Sequence, residues 1–172
     1  FIGGRYSVLS EVGMLPAELM GFKPEKFRKL NQLLKNKQLI NSLIQGVSSI
    51  LTFNKNNITN SVILNYDDRS NDLFSWYQQL VAESLGKNNK GLLPIISTMP
   101  KDNHSLMQLY LDGPKNNFYT FFYSHNDKSD KINNSNLSIP KSFFRNKCTN
   151  DIMFAQMNAT KNIFIKKKFH LE

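Results

Sequence analysis

Short apolar stretches alternating with longer helical ones predict an α/β fold, a three-layer α/β/α sandwich with a mainly parallel sheet. Val62-Ile63-Leu64, Leu92 to Ile96 and Phe118 to Tyr123 are apolar and strand-sized. Segments with apolar residues at helical steps separate and follow them. The chain is one domain's length, 172 residues, and is 40% hydrophobic with thirteen Phe and six Tyr, enough for a substantial core.

The elements follow in order. Gly3-Gly4 is a backbone hinge. From Ser7 to Met20, apolar residues at Val8, Leu9, Val12, Leu15, Leu19 and Met20 are spaced as on a helix, which Pro16 splits or kinks and Gly21 ends. Pro24 suits the first turn of a second helix carrying Phe27, Leu30, Leu33 and Leu34. A third runs from Leu39 to Leu51, so residues 1–60 form a mostly helical lead-in. Asn54 to Asn60 is a polar loop before the first strand. Asp67-Asp68 offers a cap for a helix that reaches about Ser84 and stops at Gly86. Asp102-Asn103 precedes a short helix from His104 to Leu111. Residues His125 to Ser138 are polar and read as an exposed loop, and Asn150 to Ile165 closes the chain as a helix.

Composition excludes several classes. No apolar run approaches the ~20 residues that span a bilayer, and no signal peptide is visible. One cysteine, Cys148, rules out an internal disulfide and a cysteine-rich metal site. His104, His125 and His170 lack metal-ligand spacing, so no metal is expected. A reducing cytoplasmic setting fits. The net charge of +9 permits nucleic-acid binding, but the charge accompanies heavy Asn and Lys use throughout, as in Asn54-Lys55-Asn56-Asn57, and reads as a solvated surface. Neither nucleic acid nor membrane is expected as a partner.

Three stretches carry chemistry: Gly3-Gly4-Arg5-Tyr6-Ser7, Gln78-Gln79 with Glu83-Ser84-Leu85-Gly86-Lys87, and Pro100-Lys101-Asp102-Asn103-His104. Glu83 falls in the last turn before Gly86, where the negative helix end disfavours a charged carboxylate. A carboxylate so placed can move a weakly acidic proton if held against the carbon. Arg5 follows two glycines, which let backbone approach a ligand, and its guanidinium can stabilise an oxyanion. His104 follows a helix start, whose positive end favours a neutral ring. Taken singly, each is an ordinary surface residue. Trp76 reads as core, Lys87 as structural, His125 as solvated, and Lys166-Lys167-Lys168 as an exposed helix end.

In this order the three stretches resemble the motifs of the glucose-6-phosphate isomerase family. The resemblance extends through Glu11-Val12-Gly13-Met14, Leu109 to Pro114 and Ala155-Gln156…Ala159-Thr160-Lys161-Asn162, almost the whole chain. The glutamate motif with its upstream Gln pair is highly specific, whereas Gly-Gly-Arg alone is weak. The resemblance implies a sugar-isomerase (SIS) fold and reversible aldose–ketose isomerisation of hexose 6-phosphates through an enediolate, without cofactor, in glycolysis and gluconeogenesis. It implies Glu83 as general base, Arg5 as enediolate stabiliser, and His104 as ring opener reaching the site from the partner subunit of a homodimer. It places Gln79 and Gly4 at the substrate.

Family members are longer, with two sugar-isomerase domains. The chain is expected to be an internal piece, residues 1–172 covering the second domain. The phosphate-binding Ser/Thr-rich loop of the first domain and a lysine near the family's C-terminus have no counterpart here. The piece alone is therefore expected to be inactive or nearly so, because substrate phosphate supplies much of the positioning energy. The alternative from another class is a non-catalytic sugar-phosphate-binding regulatory domain of the same fold, against which Glu83, Arg5 and His104 all argue.

Overall fold

The computed structural model describes residues 2–125 and 147–171. Its centre is a three-stranded parallel sheet in the order β2-β1-β3, built from β1 (Asn60–Asn65), β2 (Leu93–Thr98) and β3 (Asn117–Phe122). The register pairs Val62 with both Ile95 and Tyr119. Ser61 to Asn65 of β1 are all buried, because a central strand between two helical layers has no solvent face.

Helices cover both sides. On one, Val62, Leu64 and Tyr119 meet Tyr110 of a short helix, α6 (Met107–Asp112), and Met157 and Phe164 of the closing helix, α7 (Thr149–Lys166). Tyr119 and Phe164 pack edge to face, 4.7 Å between ring centroids. On the other, Phe53 of α3 (Lys37–Lys55) lies 5.4 Å from Phe118, and Phe74 of α4 (Asn71–Leu85) lies 4.8 Å from Phe122. The predicted α/β/α layering is observed. Past α7, the chain returns to β3, where His170 accepts a bond from the Tyr119 amide at 2.9 Å.

Several boundaries differ from the sequence expectations, each for a local reason. The first helix is two elements: a 3-10 turn over Gly4–Leu9, then α1 (Glu11–Leu19). Ser10 separates them, its hydroxyl accepting from the Val12 amide as an N-cap. Pro16 lies inside α1, and Gly21 ends the segment with φ +86°. The second helix is α2 (Pro24–Arg28), continued as a 3-10 stretch over Lys29–Lys35. α3 runs to Lys55, taking in Asn54 and Lys55 from the expected polar loop, and starts after Asn36, whose side chain accepts from Gln38 and Leu39. α4 begins after a 3-10 turn (Asp68–Ser70) that Asp67 caps. The helix expected at 104–111 is two, α5 (Asp102–Ser105) and α6, broken at Leu106. The polar loop expected at 125–138 lies, past His125, outside the described residues.

α3 carries no buried residue, and Leu43, Ile44, Val47 and Leu51 are exposed along it. Among the described residues, no helix is long and apolar enough to cross a membrane.

Candidate functional site

One side of α4 assembles the site. Trp76, Gln79, Glu83 and Ser84 recur at steps of three, four and one, which a 3.6-residue turn brings to the same flank. Against that flank lies the 3-10 turn carrying Arg5 and Tyr6. Arg5 Nη1 donates to Glu83 Oε2 at 3.2 Å, and Gln79 Nε2 donates to Glu83 Oε1 at 2.9 Å. Arg5 Nε donates to Ser84 Oγ at 3.0 Å, and the Tyr6 hydroxyl shares a 2.8 Å hydrogen bond with the same oxygen. The indole N–H of Trp76 donates to the Arg5 carbonyl at 2.8 Å. Three predicted residues 78 positions apart in sequence at most, Arg5, Gln79 and Glu83, thus form one cluster.

The electrostatics follow from these contacts. The Arg5 side chain is 22% exposed and that of Glu83 48%. Such a partly solvated pair adds only about 0–1 kcal/mol to stability, so its geometry needs a reason other than holding the fold. Hydrogen bonding to Tyr6, followed by the charges of Tyr6 and Glu83, raises the Arg5 pKa above its ordinary value. The bond from Ser84, then Arg5, lowers the Tyr6 phenol. The Arg5 guanidinium also lies 4.7 Å from the Tyr6 ring centroid, a cation–π contact.

Gly4 is exposed at the start of the 3-10 turn. A Cβ built there would meet nothing within 4 Å, so no packing within this chain requires the glycine. Gly86 is different: it caps α4, and a Cβ would stand 2.6 Å from the Ala82 carbonyl oxygen. Small size there lets α4 end at its Gly86 cap, three residues past Glu83.

His104 is not in the cluster. α4 runs back along the strands, with Asn71 bonded to Asn65 at the carboxyl end of β1 and Gln78 bonded to Pro94 at the amino end of β2. Glu83 therefore lies beyond the amino ends of the strands. His104 follows the carboxyl end of β2, where Asp102 accepts from the Thr98 amide at 2.8 Å. Strand and helix rises place the two roughly 20 Å apart. α5 is a four-residue turn, too short for the dipole expected to act on the ring.

Trp76 is half-buried rather than core, with its indole N–H committed to Arg5. Tyr6 and Ser84 are further members that the sequence reading did not single out. Both lay inside the stretches that carried the resemblance, but their bonding to each other and to Arg5 depends on the 3-10 turn packing on α4. Among the described residues, no group of three or more His, Cys, Asp or Glu could hold a metal ion.

No family model matches the chain. Curated relatives do. The glucose-6-phosphate isomerase of Methanocaldococcus jannaschii is 33% identical, over 92% of this chain and 40% of its own length. The probable glucose-6-phosphate isomerase of Methanococcus maripaludis is 37% identical over 75% of this chain and 31% of its own, and the Campylobacter jejuni enzyme of that name 34% over 70% and 31%.

The chain belongs to the glucose-6-phosphate isomerase family.

It spans 31–40% of the length of those three family members. A crystal structure of a hypothetical protein from Thermus thermophilus shares the fold, with a TM-score of 0.75 over 99% of this chain and 43% of that one, at 24% identity. Within the isomerase family, the cluster on α4 coincides with the motifs by which this sequence resembled it.

Proposed function

We propose that this chain is the proton-transfer portion of a glucose-6-phosphate isomerase, corresponding to the second sugar-isomerase domain with its helical lead-in. The observation that carries the proposal is the Glu83 carboxylate held between Arg5 and Gln79. Glu83 takes the proton from the second carbon of glucose 6-phosphate and returns it to the first, while the hydroxyl proton on the second carbon's oxygen passes to the first carbon's oxygen, giving fructose 6-phosphate. The electron pair left behind becomes an enediolate, whose negative oxygen the neighbouring guanidinium stabilises where the charge develops. The open space over Gly4 leaves room for the sugar to approach the backbone. Proton transfer of this kind requires no cofactor.

The distance of His104 from Glu83 supports the homodimeric reading, in which ring opening is served by the histidine of a second copy. The phosphate anchor and the C-terminal lysine lie outside this chain, so the 172-residue piece by itself is inactive or nearly so. The family-length polypeptide is a cytoplasmic enzyme of glycolysis and gluconeogenesis.

The test is isomerisation of fructose 6-phosphate by a family-length polypeptide carrying this segment, wild type against Glu83→Gln. Glutamine keeps the shape and removes the base. Loss of several orders of magnitude in kcat, with circular dichroism unchanged, is expected. Near-normal turnover by the variant would sink Glu83 as base. A wild type that binds hexose phosphate without exchanging the proton at its second carbon with solvent would favour the regulatory-domain alternative.

A further inference from the structure

We propose that Trp76 and Ser84 are positioning residues that clamp Arg5 at two points, its backbone carbonyl and its guanidinium Nε, and so fix the catalytic arginine against the base. This inference rests on the proposed roles of Glu83 and Arg5. Arg5 lies in a 3-10 turn that follows Gly3 and has one buried residue, Ser7, so little in that turn restrains it. A free arginine side chain loses much of its rotamer freedom when it is ordered. Here α4 has already imposed that order. Trp76 Nε1 holds the Arg5 carbonyl at 2.8 Å, which sets where the side chain departs from the backbone. Ser84 Oγ accepts from Nε at 3.0 Å, which sets the plane of the guanidinium. Tyr6, at 2.8 Å from the same oxygen, orients the Ser84 hydroxyl. With both points fixed, Nη1 faces Glu83.

The clamp has a mechanical consequence. Trp76, Glu83 and Ser84 belong to one helix, so base and arginine are mounted on the same rigid element although 78 residues separate them. If α4 shifts when substrate enters, the spacing of the two catalytic groups is carried along.

The test uses four variants, Trp76→Phe, Ser84→Ala, Ser84→Thr and Glu83→Gln. Phe keeps the ring and removes the donor, and Thr keeps the hydroxyl. In the family-length polypeptide, the 1H–15N cross-peak of Arg5 Nε, assigned by its loss in Arg5→Lys, reports the clamp without any activity. The cross-peak is expected to exchange slowly with water in wild type and Ser84→Thr, faster in Trp76→Phe, and fastest in Ser84→Ala. In the family-length polypeptide, Trp76→Phe and Ser84→Ala should each lower kcat about 10-fold, the worth of one hydrogen bond, with KM changed less than about 2-fold. Ser84→Thr should restore most of kcat. A cross-peak and a kcat both within about 2-fold of wild type in Trp76→Phe and Ser84→Ala, while Glu83→Gln is dead, would overturn the clamp and leave the catalytic reading standing. Normal turnover by Glu83→Gln would overturn the catalytic reading, and this inference with it, even where the cross-peak behaves as expected.

Discussion

Glu83 shows how one side chain's role depends on neighbours distant in sequence. Its carboxylate is bound by a glutamine one helical turn back and by an arginine from a different element. The i, i+4 spacing of Gln79 and Glu83 is visible in the sequence. The arrival of Arg5 is not, because nothing local says that residue 5 packs on residue 83. Tyr119 carries a prediction at the same scale. Burial pushes its phenol up to about 12, despite the hydrogen bond from Asn117 that opposes the shift. A folded-state pKa above the unfolded one contributes stability that is complete below pH 10 and is lost as pH rises towards 12. The two-unit gap corresponds to about 3 kcal/mol lost across that window. Urea unfolding between roughly pH 9 and pH 12 checks this: Tyr119→Phe should be less stable at the lower pH but show a shallower decline as pH rises. An unchanged slope would remove Tyr119 from the account.

At the scale of elements, the strands were more legible than the helices. β1 was predicted as Val62-Ile63-Leu64 and observed as Asn60–Asn65, with polar ends that bond across the sheet, as Asn60 does to Asn117 at 2.8 Å. Composition could not reveal that Ser61 and Asn65 are buried, since they are tolerated only because Tyr77 and Asn71 on α4 satisfy them. Helix ends failed where single positions decide them: the Ser10 cap splits the first segment, and a break at Leu106 separates α5 from α6. Leu64 is fully buried in the central strand, between the two neighbouring strands and beneath α6 and α7. Leu64→Ala should lower unfolding free energy by about 2–5 kcal/mol, read as a shift of the urea midpoint with little change in slope. A shift below about 1 kcal/mol would mean that the site collapses around the cavity.

For the whole molecule, the decisive fact is the separation of His104 from the cluster. Both lie on loops or helix ends around β2, yet at opposite ends of the strands. If a second copy supplies the histidine, two dead variants must rescue each other. Mixing family-length Glu83→Gln and His104→Ala and allowing subunits to exchange should restore about a quarter of wild-type activity, since half the dimers are mixed and each holds one intact site. Activity no higher than the sum of the unmixed variants would mean that each site is built within one chain.

The layered α/β class, the approximate strands, the helix ending at Gly86 and the motifs that connect the chain to its family can all be read from the order of residues alone. Those depend on local steric preference and on periodic burial, which a linear pattern records. That Arg5 meets Glu83, that Trp76 and Ser84 bond to it there, and that His104 stands apart emerge from the folded chain alone. These depend on which faces of distant elements are pressed together, and that choice is made by packing of the whole core rather than by any residue's own neighbours in the chain.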